Sequence, residues 1–286
     1  MNVITIPAYR RPYHLSKMIV TLLDNALGSW SIHIAIEPSP YASDMARMAA
    51  GLLAKCENFQ IDINEQRLGV IHNPRRLIEN AFQKGAELVL HLEEDLLVAP
   101  DATALAQWFQ RNHQPDWLCL NLLSGSCGSA GMISNPDFPH ILFPSKTFNA
   151  LGFAVRREEW GQHMHPAWLH AEQAIVGLNG VPTGGWDWAV AAALMRDPSL
   201  VSVQPALARA NHNGRTGGEH CSPSFHDLAF SDLPIFSGES FEPSFTFQSH
   251  AQLPGGVRRH VQLWVEMVRA WRVLDTQYQS EQSRHD

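Results

Sequence analysis

Three consecutive carboxylates, Glu93, Glu94 and Asp95, interrupt an apolar stretch that ends at Pro100 and Asp101. A run of this length that ends at a turn predicts a buried strand of a parallel sheet. Since strand side chains alternate between faces, at least one of the acids must point toward the core. A hard cation such as Mg²⁺ or Mn²⁺ would offset that cost, and such ions keep positions open for nucleotide phosphates. The alternative is a solvated strand end that leads into a helix with Asp101 in its first turn.

A second candidate lies in the segment Gly-Gly-Trp186-Asp187-Trp188, where two aromatic rings flank one carboxylate. Such rings offer an apolar wall for a sugar, and partial desolvation raises the basicity of the acid toward that of a general base. The alternative is that Asp187 caps the amino terminus of a helix, because an apolar run begins at Ala189. The two interpretations are compatible.

Arginines stand where an anionic ligand would need them. Arg10 and Arg11 follow the first predicted strand and precede the first predicted helix, the place where a parallel sheet presents ligands to a helix amino terminus. A guanidinium group there can hold diphosphate oxygens in bidentate fashion, although a plain surface arginine is the alternative. Farther along, Arg215 lies in a glycine-rich stretch, residues 209–220, whose backbone amides could turn toward the same phosphates.

These residues need a scaffold, and the first half of the chain supplies a regular alternation. Apolar periodicity predicts strands at residues 3–6, 32–36 and 59–63 and before the acids, with helices at 15–25, 44–55 and 74–85. Asn73 and Pro74 fit the start of the last helix, and Gly85 fits its end. Repeated alternation predicts a parallel sheet with right-handed crossovers, a nucleotide-binding architecture. Neither the G-x-G-x-x-G nor the phosphate-loop motif occurs, which weakens a dinucleotide-binding interpretation.

The second half of the chain is less regular. Stretches rich in glycine, serine, histidine and proline at residues 124–134 and 211–243 predict long loops, which we expect to wall a binding site. Residues 258–274 predict a closing amphipathic helix with Trp264 and Trp271 on its apolar face. The polar residues after it predict a frayed tail.

Composition narrows the class of protein. With 286 residues and 45% hydrophobic content, the chain can form one large α/β domain or two small ones. The formal charge of −7 and the lack of a basic block argue against an extended nucleic-acid partner. Four cysteines without C-x-x-C spacing indicate reduced thiols, and no signal-peptide pattern is present, so we expect a cytoplasmic protein. No stretch reaches the roughly 18 to 20 apolar residues of a membrane span.

The acidic segment also carries a family resemblance. Residues 93–101, Glu-Glu-Asp-Leu-Leu-Val-Ala-Pro-Asp, resemble the Glu-Asp-Asp-Leu-x-Val-Ala-Pro-Asp segment of the N-acetylglucosaminyltransferase I and protein O-mannose N-acetylglucosaminyltransferase family. Those enzymes are inverting, metal-dependent glycosyltransferases with the GT-A fold, an α/β architecture whose Rossmann-like, mostly parallel sheet is flanked by helices. One departure is Glu94, where the family has Asp. The acid that holds the metal in the family is retained as Asp95.

The resemblance covers roughly residues 3–228 and implies roles for residues around the donor. It implies that Arg11, with Arg10 as the substitute, contacts the diphosphate. Glu37 would accept a hydrogen bond from the uracil N3–H, although an exposed turn acid is an equal alternative. The remaining two acids of the motif, Glu93 and Glu94, would position the ribose or the donor sugar.

Other matches lie in the second half of the chain. Residues 148–153 resemble a family segment in which Gly152 would let the backbone approach the donor sugar, although a buried strand explains the aromatic residues there too. The Trp-Asp pair implies that Trp186 contacts the sugar and that Asp187 is the base. The glycine-rich loop matches at Arg209, Gly214 and Gly217, and the match implies that Arg209 and Arg215 contact the donor. Within it, the resemblance implies that His220, or His212, completes the metal shell.

Together these features predict a single GT-A domain that transfers a sugar from a nucleotide-diphosphate donor, with a UDP-sugar such as UDP-GlcNAc as the first candidate, to a carbohydrate or other hydroxyl acceptor. Residues 1–115 would bind the nucleotide sugar, residues 116–250 would face the acceptor, and residues 251–286 would form the closing helix and tail. The cofactor would be Mn²⁺ or Mg²⁺. Two alternatives are a catalytically silent carbohydrate- or nucleotide-sugar-binding protein and a sugar nucleotidyltransferase. The latter is disfavoured because the chain lacks a glycine-rich basic loop near its amino terminus.

Overall fold

A computed structural model describes residues 1–124, 137–170, 175–176, 182–183, 185–216, 223–231, 233–238, 245–253 and 258. Its strands are β1 (Asn2–Ala8), β2 (Trp30–Ile36), β3 (Phe59–Ile63), β4 (Leu88–His91), β5 (Leu96–Val98), β6 (Trp117–Asn121), β7 (Ile141–Ser145), β8 (Phe153–Arg156), β9 (Ile175–Val176), β10 (Pro182–Thr183), β11 (Val201–Pro205), β12 (Ala210–His212) and β13 (Thr246–Phe247). The predicted closing helix beyond Arg258 and the predicted loop beyond Ser124 lie outside the described residues.

The described helices are α1 (Pro12–Leu22), α2 (Ala42–Leu52), α3 (Gly69–Gln83), α4 (Ala102–Arg111), α5 (Arg157–Glu159), α6 (His165–Trp168), α7 (Trp186–Arg196) and α8 (Pro223–Ala229). A π-helical turn, Trp160–Met164, joins α5 to α6, and a 3₁₀ turn, Phe138–His140, precedes β7. None of the described helices is both long and apolar enough to cross a bilayer.

The main sheet has nine strands in the order β13-β7-β11-β6-β8-β4-β1-β2-β3. The half that contains β4, β1, β2 and β3 is parallel throughout, and β8 enters antiparallel between β4 and β6. Alternate side chains of β1 and β4 pack on opposite faces: Ile4 and Leu90 lie in one apolar cluster, and Val3 and Val89 lie in another. The first cluster includes α1, α2 and α4, and the second includes α3 and α7. Helices therefore cover both faces, as a parallel sheet requires.

Most predicted boundaries of the first half of the chain are shifted by up to three residues, and two larger differences affect the site. Helix α3 begins at Gly69, five residues before the predicted start, and Pro74 lies inside it. The start is set by Gly69, whose φ of 75° is readily adopted by glycine, and by the Glu37 carboxylate, which accepts hydrogen bonds from the amides of Leu68 and Gly69. Pro74 sits far enough into the helix to remove one of its backbone hydrogen bonds.

The acidic segment is divided between two strands. Strand β4 ends at His91, and β5 begins at Leu96, so Glu93, Glu94 and Asp95 lie in the turn between them. Strand β5 leaves the main sheet and pairs antiparallel with β12. The acids are therefore at the carboxyl end of a central strand, as predicted, but they do not alternate between the faces of that strand.

Candidate active site

The candidate site lies where the parallel strands end. The segments after β1, β2 and β4 carry Arg10 and Arg11, Glu37, and the acidic turn, respectively. Because β4, β1 and β2 are neighbours in one parallel sheet, their carboxyl ends bring these residues to one edge. A cavity of about 180 Å³ opens there and is lined by residues that include Tyr9, Arg10, Arg11, Glu37, Arg67, Asn73, Glu93 and Glu94.

Arg11 is bonded to two of the three acids. Its Nε and Nη2 atoms donate to Oε1 of Glu94 at 3.0 and 2.7 Å, and its Nη1 donates to Oδ2 of Asp95 at 2.6 Å. The Arg11 side chain is 18% exposed, and the two carboxylates are each 6% exposed. Burial opposes the charge of Arg11, yet the charges of Glu94 and Asp95 raise its pKa. The cationic group is therefore fixed beside the cavity.

The two carboxylates that share Arg11 differ in acidity. Burial, followed by the charge of Asp95, raises the pKa of Glu94 to about 8. Burial also opposes ionisation of Asp95, but the hydrogen bond with His212 and the charge of Arg11 prevail and lower its pKa. Asp95 is therefore the permanent anion of the pair, which suits the acid that the resemblance assigns to a cation.

His212 reaches Asp95 through the pairing of β12 with β5. The register places His212 opposite Leu96, and its Nε2 atom lies 3.0 Å from Oδ2 of Asp95. The backbone carbonyl of Asp95 accepts a hydrogen bond from the amide of Asn213 at 2.7 Å. A Cβ atom at Gly214 would collide with both Asp95 Oδ2 and His212 Nε2, so glycine keeps the space beside them open.

These atoms fit a divalent cation through one carboxylate oxygen and one imidazole nitrogen. The Nδ1 atom of His212 is buried without a hydrogen-bond partner in the structure. No group of three or more His, Cys, Asp or Glu side chains is arranged as a metal site within the described ranges, so the described residues would supply two ligands there. His220, the ligand first predicted, lies outside the described residues. From its sequence context, His212 is ranked below His220 as a ligand, because imidazole is a softer ligand than oxygen.

The other cavity-lining residues differ in their availability to a ligand. Glu37 reaches the cavity, but its two oxygens accept hydrogen bonds from the amides of Leu68 and Gly69 at 2.8 and 3.2 Å. Arg10 has a φ of 60°, a costly conformation for a residue with a side chain. The guanidinium groups of Arg10 and Arg67 lie 4.7 and 4.5 Å from the centre of the Tyr9 ring.

Tyr9, Arg67 and Asn73 line the cavity but are not among the predicted site residues. Tyr9 directly follows β1, and that position offered a signal that an aromatic residue would reach the sheet edge. Asn73, which is predicted to begin the helix, is instead buried within α3, where its side chain donates to the backbone carbonyl of Ala35 at 3.2 Å. The early start of α3 is what brings Asn73 to the cavity.

Trp186 and Asp187 lie at the start of α7, and neither is among the described residues that line the cavity. Trp186 is buried, and its ring stacks on Trp168 with centroids 3.8 Å apart and an interplanar angle of 3°. This placement differs from the expected open wall for a sugar. Asp187 is half-buried in the first turn of α7, so it is not the N-cap residue, a position that Gly185 occupies.

Arg209 has a structural partner in place of a phosphate. Its side chain and that of Asp101 are both 0% exposed, and its Nε donates to both Asp101 oxygens at 2.8 and 3.0 Å. Its remaining donors reach the backbone carbonyls of Leu207 and Pro139, each at 2.6 Å. The expectation that Arg209 contacts the donor is therefore corrected: its hydrogen bonds are made within the protein core. Asp101, which the alternative interpretation placed in the first turn of a helix, is the buried N-cap residue of α4.

Two other predicted contacts have local explanations. Arg215 is 55% exposed and forms a bidentate pair with Asp227 at 2.7 and 2.8 Å. Gly152 has a φ of 84°, and a Cβ atom there would lie 3.2 Å from Leu122 Cδ1. Its carbonyl accepts a hydrogen bond from the amide of Leu122 at 2.8 Å. The glycine is therefore required by packing between β8 and the end of β6.

Comparison with known proteins gives structural matches but no sequence match. No protein-family model and no curated protein matches the chain. A structure of GalNAc-T7 with UDP, GalNAc and Mn²⁺ superimposes with a TM-score of 0.50 at 11% identity, over 80% of this chain and 47% of that one. A structure of S. aureus TarS 1-349 with UDP-GlcNAc gives 0.47 at 12% identity, over 80% and 64%. The mannosyltransferase PcManGT from Pyrobaculum calidifontis, with GDP-Man and Mn²⁺, gives 0.42 at 12% identity, over 56% and 46%.

The chain has the GT-A fold, a mixed α/β architecture with a mostly parallel central sheet flanked by helices, and the predicted fold class is confirmed. It spans about half the length of GalNAc-T7 and of PcManGT. The narrower resemblance to the N-acetylglucosaminyltransferase I family stays a prediction.

Proposed function

We propose that this chain is a metal-dependent, inverting glycosyltransferase that uses a nucleotide-diphosphate sugar, with a UDP-sugar such as UDP-GlcNAc as the first candidate donor. The observation that carries the proposal is the convergence of Arg11, Asp95 and His212 beside a cavity at the carboxyl end of β1 and β4. Such an edge is where open α/β sheets bind nucleotides. GalNAc-T7, which shares the fold, was crystallised with UDP, GalNAc and Mn²⁺.

In this proposal each element of the site has one task. The cavity takes the nucleoside, and Arg11 lies beside it, where a guanidinium N–H that is not bonded to the acids would donate to a phosphate oxygen. Asp95 and His212 would hold Mn²⁺ or Mg²⁺, which when bound would neutralise the diphosphate leaving group. Gly214 leaves room beside their donor atoms.

Asp187 is the proposed base. It would accept the proton of the acceptor hydroxyl as that oxygen attacks the anomeric carbon from the side opposite the leaving group, which inverts the configuration. Its place in the first turn of α7, which is anchored by the Trp186–Trp168 stack, supports a fixed orientation. The acceptor is proposed to be a carbohydrate or another hydroxyl compound, and the cytoplasm is the proposed location.

The test is a panel of nucleotide sugars incubated with the protein in Mn²⁺ or in EDTA, with release of the nucleoside diphosphate as the signal. Hydrolysis or transfer that occurs in Mn²⁺ and is lost both in EDTA and in Asp95→Asn supports the proposal. The exposed Asp24→Asn is the matched control. Binding without turnover of any donor would favour the silent binding protein, and pyrophosphate-dependent nucleotide exchange would favour a nucleotidyltransferase.

A further inference from the structure

His91 is a buried histidine to which the proposed mechanism gives no task. It is the last residue of β4, its side chain is 0% exposed, and it is in register with Thr5 on β1. Its ring packs against Phe153 at 5.1 Å and against the edge of Trp186 at 6.3 Å between centroids. Apolar residues fill most neighbouring positions, so a polar ring here must be balanced by hydrogen bonds.

Both ring nitrogens of His91 have partners. Nδ1 lies 3.0 Å from the hydroxyl oxygen of Thr5, and Nε2 lies 3.4 Å from Oε1 of Glu93. A neutral imidazole carries one donor and one acceptor, and an ionised carboxylate can only accept. The Nε2–H tautomer satisfies both contacts: the Thr5 hydroxyl donates to Nδ1, and Nε2 donates to Glu93. The opposite tautomer would set a lone pair against the carboxylate.

We propose that His91 is a positioning residue that holds the Glu93 carboxylate in place in the nucleotide cavity, where Glu93 accepts a hydrogen bond from the ribose. The proposal rests on the proposed function, because it takes the cavity to be the nucleoside site. Glu93 lines that cavity and is 17% exposed. One of its oxygens faces His91, which leaves the other for a ribose hydroxyl.

The arrangement gives the two cavity acids separate anchors. Glu94 is held by Arg11, which follows β1. Glu93 is held by His91, the last residue of β4. A charge-assisted hydrogen bond fixes the direction of a carboxylate, and a preoriented acceptor binds a hydroxyl more tightly than one that must first be ordered. The Glu93 carboxylate, which can only accept, selects the Nε2–H tautomer, and the Thr5 hydroxyl then completes the hydrogen bonding of the imidazole as a donor to Nδ1.

The first test compares UDP affinity in Mn²⁺ across a set of variants. His91→Phe keeps the ring packing and removes the hydrogen bonds; we expect an approximately tenfold loss of affinity, the worth of about one such bond. His91→Gln, whose amide can donate to Glu93, should recover most of it. In a Glu93→Gln background, His91→Phe should have less than a twofold further effect. His33→Phe, on β2 in register with Thr5, is the matched control and should bind like the parent.

The outcomes that overturn the proposal are distinct. A His91→Phe variant that binds UDP as the parent does would remove the positioning role. The same loss in the Glu93→Gln background would show that packing, and not the bond to Glu93, is responsible.

A second readout does not depend on a nucleotide. In protein labelled with ¹⁵N-histidine, the His91 resonances should show the Nε2–H tautomer and should shift in Glu93→Gln. If the parent protein binds no UDP, the cavity is not a nucleotide site, and the proposed ribose contact of Glu93 is wrong as well. The tautomer would still test the hydrogen bond from His91 Nε2 to Glu93. An Nδ1–H tautomer, or His91 resonances that do not change in Glu93→Gln, would show that this bond is absent.

Discussion

The Nε2 atom of His212 lies 3.0 Å from Oδ2 of Asp95, although 117 residues separate the two in the chain. The contact depends on β5, which follows the acidic turn and pairs with β12 outside the main sheet. A local strand pair therefore joins the end of the regular half of the chain to its irregular half. The metal assignment depends on this contact.

His212→Ala should weaken the Mn²⁺-dependent binding of UDP by tenfold or more, since loss even of a group that supports a metal ligand commonly costs about 10- to 100-fold in metal affinity. Binding that remains in EDTA should not change, because His212 acts through the cation. Calorimetric titration of UDP with and without Mn²⁺ measures both. His170→Ala, an exposed histidine, is the control. If His220→Ala loses the Mn²⁺ dependence and His212→Ala keeps it, the ligand is His220.

Arg11→Ala should weaken UDP and UDP-sugar binding alike, by about 1 to 3 kcal/mol if the guanidinium group makes a charge-assisted contact to phosphate. The comparison variant is Arg47→Ala, whose side chain is 79% exposed and pairs with Asp44 on the surface. Titration of UDP into both variants at one salt concentration provides the measurement. Equal affinity in the parent and in Arg11→Ala would show that Arg11 does not contact the phosphate, and the role would then fall to Arg10 or to no arginine of this pair.

The sequence predicted the parallel half of the fold because its signals are local. Apolar periodicity marks β3 at the residues where the structure has it, and it places the acidic turn after a buried strand. The early start of α3 was not predictable from Asn73 and Pro74, because the carboxylate of Glu37, 31 residues from Leu68, helps to fix it.

The site, too, was predictable from the sequence only where its signals are local. The motif placed Arg11 and Asp95 near one edge, since both follow strands of one sheet, and the structure pairs them at 2.6 Å. The burial of Arg209 against Asp101, 108 residues away, has no local signature, because a glycine-rich flank looks the same beside a phosphate and beside the core. The sequence likewise does not distinguish Trp186 from an exposed aromatic residue, because its stacking on Trp168 is a tertiary contact.

Glu94 should make the protein less stable as the pH rises. Its pKa is raised from the ordinary 4.5 to about 8, so between these values the folded protein keeps a proton that the unfolded chain has lost. The contribution of Glu94 to the free energy of unfolding is complete below about pH 4.5 and declines as the pH approaches 8. Glu94→Gln should flatten that decline, as measured by urea midpoints in EDTA at several pH values.

The exposed Glu57→Gln is the control for this titration and should retain the parental pH dependence. A Glu94→Gln variant with the parental decline would assign it to other groups. Asp95 affects stability in a different pH range. Because its pKa is lowered, its contribution to the free energy of unfolding is lost only as the pH falls below 3.8, the ordinary pKa of an aspartate.

Arg209→Met should destabilise the fold by about 3 to 5 kcal/mol, because it leaves the Asp101 carboxylate buried without its partner. Adding Asp101→Asn should recover part of that loss, since the unpaired charge is then gone. Urea unfolding measures both variants. Arg215→Met, which breaks an exposed pair, should hardly change stability. If Arg209→Met instead unfolds like the parent and loses UDP affinity, its predicted contact with the donor is restored.

Asp187→Asn should lose sugar transfer by about 10² to 10⁴ in rate, because an amide keeps the shape of the side chain but cannot accept the acceptor's proton. UDP-sugar affinity should stay within a few-fold of the parent, since the base faces the acceptor and is not among the described residues of the nucleotide cavity. Initial rates at saturating donor, together with donor titrations, separate the two effects. Asp197→Asn, at the residue that follows α7, is the matched control. If Asp187→Asn transfers sugar at the parental rate, the residue serves only the first turn of α7, and the base must be sought elsewhere, with Asp227 the first described candidate.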